Sequence, residues 1–473
     1  MTERKRESAR AAVLAARGAA CTALAAAVLL AGCSQIPAYQ RPAAPVPQTF
    51  AADVPAAATA LPDWQAYFPD PALQGLIEAA LANNRDMRIA LARVEEARAL
   101  AGVARADRFP TLEAQGSANR TRTPADLTGV GVARTTRRYD LGLGITSFEL
   151  DFWGRVAALS DAARAQYLAS DEAARSFRVS LIGDVASTWY QLTALTEQSQ
   201  LADDTLKTRE DSLDLTRKRR DAGLASDLDV LTAEGLVESV RAQWADLKRQ
   251  RAQTENALRL LTGTATPLPA APVVSTQPAL AQLAPGLPSD VLLRRPDVRA
   301  AEQRLIASNA NVGAARAAFF PRIALTGNFG TASSALSGLF GAGSEAWLFQ
   351  PVLTLPLFDA GRNQANLGVA EARKVQAVAD YEKTIQQAFR EVADALAARA
   401  AYGEQLTAQE ANLRAQQARL EQVKARERAG IASYLEVLDA SREAFNAQQA
   451  VVASRLQLLA AEVALYKSLG GGA

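Results

Sequence analysis

Ile323, Leu325, Gly327 and Phe329 alternate with Arg322, Ala324, Thr326 and Asn328, a period of two that puts apolar groups on one face of a strand. A matching strand begins at Leu112, Ala114 and Gly116, and return strands are suggested by Tyr139, Leu141, Leu143 and Ile145 and by Trp347, Phe349, Leu353, Leu355 and Leu357. Residues 72–107 and 289–318, upstream of each strand pair, are rich in Ala, Leu and Arg and lack an internal proline apart from Pro296 near the start of the second, which predicts helix. Both runs end at Phe-Pro, where proline blocks continuation. Downstream, residues 155–221 and 362–429 are free of proline and predict two helices of about 67 residues, each on the order of 100 Å long. Such lengths suit a coiled-coil wall, and Leu206 and Leu213, like Leu413 and Leu420, are one heptad apart.

The order of textures repeats because the sequence does. Asp86, Arg88, Gly102, Arg105, Phe109 and Pro110 fall on Asp297, Arg299, Gly313, Arg316, Phe320 and Pro321 at an offset of 211 residues. From Gly154 onward the offset is 207, so four residues are gained in the first half between Pro110 and Gly154, an interval expected to hold a loop. The long helices end at matching turns, Gly223-Leu224-Ala225-Ser226 and Gly430-Ile431-Ala432-Ser433. Glycine past the last helical residue is a C-terminal cap. Ser226 with Asp229, and Ser433 with Glu436, form the S-x-x-[D/E] pattern that starts a returning helix. The domain reading is therefore a first repeat over 63–270, a linker over 271–288 and a second repeat over 289–473.

Each repeat carries one hairpin whose segments approach the ~9–11 residues of a membrane-spanning strand, a periodicity that a half-buried soluble sheet shares. A membrane sheet must close, and closed barrels need about eight strands or more, so four strands per chain require several copies.

Composition narrows the chemistry. The 52 basic and 50 acidic residues leave no polyanion-binding signal, so nucleic acid is not an expected partner. No histidine is present, and the two cysteines, Cys21 and Cys33, both lie in the first 33 residues. Metal centres, familiar catalytic triads and internal disulfides across the body of the chain are thus not expected. Neither a phosphate-binding glycine loop nor a nucleophile elbow is present, and no enzyme activity or cofactor is expected.

Arg4, Lys5, Arg6, Arg10 and Arg17 precede an apolar stretch over 21–30 that closes on Leu30-Ala31-Gly32-Cys33. This resembles the lipobox of bacterial lipoproteins, and implies a signal peptide over 1–32 and acyl chains on Cys33, with Ser34 favouring export to the outer membrane. Two or more chains suffice for stable anchoring in outer-membrane lipid. Residues 33–62, rich in Pro and Ala, then read as an anchor and an extended, poorly packed tether.

Six stretches, taken together and in order, resemble the outer-membrane factor (TolC-type) family, and its lipoprotein branch in particular. They are Glu149-Leu150-Asp151-Phe152-Trp153-Gly154-Arg155, Leu293-Arg294-Arg295-Pro296-Asp297-Val298, Phe320-Pro321-Arg322-Ile323, Pro356-Leu357-Phe358-Asp359-Ala360-Gly361-Arg362, Ser433-Tyr434-Leu435-Glu436-Val437-Leu438-Asp439, and Leu465-Tyr466-Lys467-Ser468-Leu469-Gly470-Gly471. The resemblance implies a mainly α fold with a small β part: a homotrimer with a membrane β-barrel continued by a long coiled-coil α-barrel. It implies a passive efflux duct that receives small molecules from an inner-membrane efflux pump through a periplasmic adaptor (a membrane fusion protein). Adaptor contact falls on Gly223, Leu224, Ala225, Ser226, Gly430, Ile431, Ala432 and Ser433. A different class of reading is a periplasmic coiled-coil adaptor or structural lipoprotein, for which two tandem hairpins interrupted by alternating strands are unexpected.

The repeats cease to match at the returning helix, where Leu435, Glu436, Asp439 and Arg442 stand opposite Leu228, Asp229, Thr232 and Gly235. The family's constriction acids match Glu436 and Asp439; an apolar ring and a basic partner match Leu435 and Arg442. The expected gate is thus Asp439 with Arg442, and Leu435 as a constriction, while Glu436 also serves as a capping acid. Some relatives carry arginine where this chain has Ala432, so a bond from that position is absent here.

Overall fold

The computed structural model describes residues 34–47, 49–50, 62–278, 280 and 289–471. The expected signal peptide, Cys33, and parts of the tether and linker lie outside the described residues. In chain order the elements are α1 (Trp64–Tyr67), α2 (Pro71–Asn83), α3 (Arg85–Ala106), β1 (Leu112–Thr123), β2 (Arg134–Leu150), α4 (Arg155–Asp221), α5 (Asp227–Thr262), α6 (Pro296–Ala317), β3 (Arg322–Ser333), β4 (Glu345–Thr354), α7 (Arg362–Arg428) and α8 (Tyr434–Ser468). The two long helices α4 and α7 each have 67 residues, as their unbroken composition predicts. The expected upstream helices are interrupted: Asn84 separates α2 from α3, and a 3-10 turn over Ser289–Arg294 precedes α6.

Two compact units divide the chain, one holding the described residues of 1–42, 95–170 and 301–381 and the other those of 43–94, 171–300 and 382–473. In the first, the strands form one antiparallel sheet in the order β1-β2-β3-β4. Its register sorts the side chains by face. Leu112, Ala114, Gly116 and Ala118 oppose Ile145, Leu143, Leu141 and Tyr139. Ile323, Leu325, Gly327 and Phe329 oppose Leu353, Pro351, Phe349 and Trp347 on that same face. The other face carries Glu113, Gln115, Ser117, Asn119, Asp140, Thr326, Asn328 and Gln350. The apolar face is uncovered, with Trp347 75%, Phe329 67% and Leu353 65% exposed.

The four surplus residues of the first repeat are not taken up by a longer loop. The loops span 124–133 and 334–344, whereas β2 has 17 residues against 10 in β4. The longer strand keeps its pairing through a bulge between Ile145 and Phe148, where Ser147 takes a positive φ of 54°.

The recurring sequence stretches meet where sheet passes into helix. Glu149 accepts from Arg155 at 2.7 Å and from Arg322 at 2.7 Å, and Trp153 stacks on Phe320 with ring centroids 4.6 Å apart. The indole Nε1 of Trp153 donates to the Pro321 carbonyl at 2.9 Å. Asp151 then accepts from the Ala157 amide and Asp359 from the Asn363 amide, each satisfying a free N–H of a new helix.

The tether departs from expectation. Residues 34–42 are extended, yet they are packed along α6. Asn309 Nδ2 donates to the Pro37 carbonyl at 2.7 Å, and Glu302 accepts from Tyr39 at 3.1 Å and from Arg41 at 2.6 Å. Gly313 makes room for Ile36: a Cβ there would lie 2.7 Å from the Ile36 Cα. A Cβ on Gly102, the matching glycine of the first repeat, meets nothing within 4 Å.

In the second unit, the helical hairpins pack through Leu206 and Leu213 against Val230, Val237, Val240 and Phe445, the stripe that the heptad spacing marks. Interrupted helices are spliced by side chains at matching positions. Asn84 caps α3 through the Met87 amide and donates to the Leu261 carbonyl near the end of α5, both at 2.9 Å. Arg295, 211 residues on, donates to the Ser468 carbonyl at the end of α8 at 2.6 Å while pairing with Asp297 at 2.7 Å and Glu391 at 2.8 Å.

Candidate functional site at the hairpin tips

Each tip is built by one glycine and one serine. Gly223 and Gly430 adopt φ of 74° and 72°, a region in which a Cβ is penalised. Gly223 N–H donates to Arg220 O and Leu224 N–H to Arg219 O, each at 2.8 Å; Gly430 and Ile431 repeat this with Glu427 O and Arg426 O at 2.9 Å. These are the paired bonds of a Schellman end, and they satisfy carbonyls that the helix leaves open. The chain then restarts at once. Ser226 accepts from the Asp229 amide at 3.2 Å while Asp229 accepts from the Ser226 amide at 2.8 Å. Ser433 and Glu436 make the same reciprocal pair at 3.3 and 3.1 Å.

Glu436 therefore caps α8. Its carboxyl is held below the ordinary value first by the Ser433 amide and then by the Ser433 hydroxyl. Asp229 is lowered first by the Ser226 hydroxyl and then by its amide.

The turn residues Gly223, Leu224, Ser226, Gly430, Ile431 and Ser433 are exposed, and Ala225 and Ala432 are half-buried. Leu224 and Ile431 project into solvent, 78% and 68% exposed. They are apolar side chains at the end of a polar hairpin, with little local reason to be so.

On α8, Asp439 pairs with Arg442 at 2.7 Å, as the three-residue spacing predicts. It also pairs with Arg419 of α7 at 3.0 Å. With Leu435, Glu436, Leu438 and Val423 these residues line a cleft of about 690 Å³. Arg419 was not marked by the sequence, because its role depends on which residue of the antiparallel partner helix lies opposite Asp439.

Both partners of Asp439 belong to the same hairpin, α7–α8. The contacts that join the two hairpins of one chain come from other residues. Arg219 at the end of α4 pairs with Glu427 at the end of α7 at 3.1 Å, and its guanidinium lies over the Tyr434 ring, 5.7 Å from the centroid. Tyr434 in turn hydrogen-bonds the Ser212 hydroxyl. Further along, buried Arg209 donates to the Leu236 carbonyl at 2.9 Å and faces the Phe445 ring. Burial, with the charge of nearby Arg442 added, pushes its pKa below the ordinary value. The one available signal for Arg219 and Glu427 was their position in the last turn of each long helix.

This geometry, two capped helical hairpins and a four-stranded sheet with a bare apolar face on a duplicated chain, has clear relatives. The outer membrane efflux protein profile matches residues 76–264 and 287–471. The chain belongs to the outer membrane efflux protein family. It is 48% identical over 455 residues to the solvent efflux pump outer membrane protein SrpC of Pseudomonas putida, covering 94% of this chain and 96% of that one. Among solved structures, a membrane protein from Pseudomonas aeruginosa superposes with a TM-score of 0.88 at 44% identity, covering 93% of this chain and 98% of that one. The open state of the Neisseria gonorrhoeae MtrE outer membrane channel superposes at 0.85 with 38% identity, covering 93% and 98%. The fold class is that of these family channels: mainly α with a small sheet, and two repeats in each chain.

Proposed function

We propose that this protein is the outer-membrane exit duct of a tripartite efflux system, a homotrimer that passes small molecules handed on by an inner-membrane pump through a periplasmic adaptor. The observation that carries the reading is the sheet. Among the described residues, strands β1 and β4 are both unpaired edges, and one face is apolar and exposed. In lipid such a sheet must close, and three copies give twelve strands, within the range of known membrane barrels. No described helix is long and apolar enough to cross a membrane. Relatives named as efflux pump outer membrane proteins support the assignment.

Within this reading the hairpin tips form the periplasmic mouth. Leu224, Ile431 and the small residues beside them offer the adaptor an apolar, low-relief contact. Leu435, Asp439 and Arg442 form the constriction around the three-fold axis, and Glu436 supports it by starting α8. Cys33 carries the acyl chains that anchor the mature chain. The domain division into repeats over 63–270 and 289–473 follows the same logic, each repeat supplying one β-hairpin and one helical hairpin. Mass measurement of the detergent-solubilised protein tests the architecture: a trimer is expected, and a stable monomer with a folded β signature overturns it.

A further inference from the structure

The apolar face of the first β-hairpin does not end in neutral residues. Above Ala118 and its cross-strand partner Tyr139 the same face continues as Arg120 opposite Arg137, then Arg122 opposite Thr135. All three arginines are exposed, and none of their guanidinium groups has a hydrogen bond or ion pair among the described residues. Side chains directly opposite on antiparallel strands have Cβ atoms about 5 Å apart, where like charges destabilise the pair. Arg138, by contrast, lies on the polar face and is paired with Asp140 at 2.8 Å. Asp126 lies in the loop that joins β1 to β2, and Glu345 stands at the start of β4, two strands from β2 in the row of Leu141; neither pairs with these arginines.

Their height matters as much as their charge. Helices α3 and α4 join this hairpin at its Leu112 and Leu150 ends, and the arginines sit at the opposite, loop end. From Leu150 to Tyr139 is eleven strand steps; at ~3.3 Å each and a tilt of ~40° this rises about 28 Å, close to the apolar band of a membrane barrel. Arg137 stands two residues further, about 5 Å above that band on the same arithmetic, where headgroups lie. The side-chain chemistry fits one headgroup class: guanidinium forks match phosphate oxygens in pairs, and a phosphate placed between Arg120 and Arg137 turns a repulsive pair into a bridge.

We infer that Arg120, Arg122 and Arg137 form a docking site for the phosphate groups of a phosphorylated glycolipid of the outer leaflet, one site per protomer at the outer rim of the barrel. The inference rests on the membrane-barrel reading above.

The test is native mass spectrometry of the purified full-length protein with three probes: a bisphosphorylated glucosamine-disaccharide lipid (lipid A), its dephosphorylated form, and phosphatidylglycerol. The parent protein is expected to retain the bisphosphorylated lipid at least about tenfold better than either other probe, the usual scale of charge-assisted hydrogen bonds. Arg120→Gln/Arg122→Gln/Arg137→Gln is expected to lose the preference. The corresponding triple lysine variant should keep most of it, and Arg138→Gln all of it. Equal retention of the phosphorylated and dephosphorylated forms by the parent protein overturns the site, whatever the variants do. Equal retention of phosphatidylglycerol overturns the glycolipid as its occupant. Ion conductance and trimer mass are read on the same samples: absence of both in the parent protein sinks the barrel reading, whereas a conducting trimer without lipid preference sinks this inference alone.

Discussion

Glu427→Gln removes the charge that ties the two helical hairpins of a chain together while keeping the side-chain size. The pair it breaks, with Arg219, spans 3.1 Å, and its side chains are 39% and 21% exposed. A partly exposed pair of this kind is worth about 0.5–1 kcal/mol after screening. The contact of Arg219 with the Tyr434 ring and the bond from Tyr434 to Ser212 are left in place, so the substitution isolates the ionic part. If the mouth of a trimer opens as a unit, the three copies act together, and the loss is about 1.5–3 kcal/mol, a shift of roughly 10- to 150-fold in the open-to-closed ratio. Because exposed charges are screened over ~10 Å at 0.1 M salt and ~3 Å at 1 M, the gain should shrink markedly at high salt. Reconstitution in planar bilayers, with open probability recorded at both salt concentrations, measures it. If Glu427→Gln trimers open no more often than the parent at 0.1 M salt, the Arg219–Glu427 pair joins the hairpins without resisting opening of the mouth.

Asp439→Ala, which removes the acid shared by Arg419 and Arg442 and leaves Arg442 only Glu443 at 3.2 Å, is expected to raise conductance, and Leu435→Ala to widen it further by removing apolar bulk; normal assembly with unchanged conductance in both would place the constriction elsewhere. Cys33→Ser should abolish incorporation of a fatty-acid analogue, and label persisting on that variant would put the lipid on another residue. Gly313→Ala drives a Cβ into the Ile36 backbone, so chymotrypsin should cut after Tyr39 faster than in the parent, while Gly102→Ala, facing open space, should leave cleavage unchanged; equal rates for both variants would refute the packing. Because the folded carboxyls of Glu436 and Asp229 are lowered by their caps, the helix starts they support are fully stabilised at neutral pH and lose that support as the pH falls through the depressed values. Amide exchange at residues 434–437, corrected for its intrinsic pH dependence, should rise on acidification in the parent and be nearly flat in Glu436→Gln.

The tips were legible in the sequence because their conformation is local: a glycine that must take positive φ and a serine three residues before an acid leave no other economical reading. The strands were legible for the same reason, since alternation is written residue by residue. Asp439 and Arg442 could be paired from their spacing alone, but Arg419 could not, because the register of α7 against α8 is set by packing over the whole hairpin. Arg219 and Glu427 lie 208 residues apart and meet only once both hairpins exist. Residues 34–42 misled for a different reason. Composition describes what a segment prefers when free, and their seat is supplied by Gly313, Glu302 and Asn309 of the second repeat. Asn84 and Arg295 occupy equivalent positions and do the same splicing with unlike chemistry, a similarity invisible to any comparison of residue types.

The seat of residues 34–42 on α6 also orders events in time. Tyr39 and Arg41 are synthesised before their partner Glu302, which comes 263 and 261 residues later. Contacts of such separation close late, after nearer partners have found each other. Residues 34–42 must therefore wait, unseated, until α6 has been made and has folded, so their packing is a late event in folding rather than an early scaffold for it.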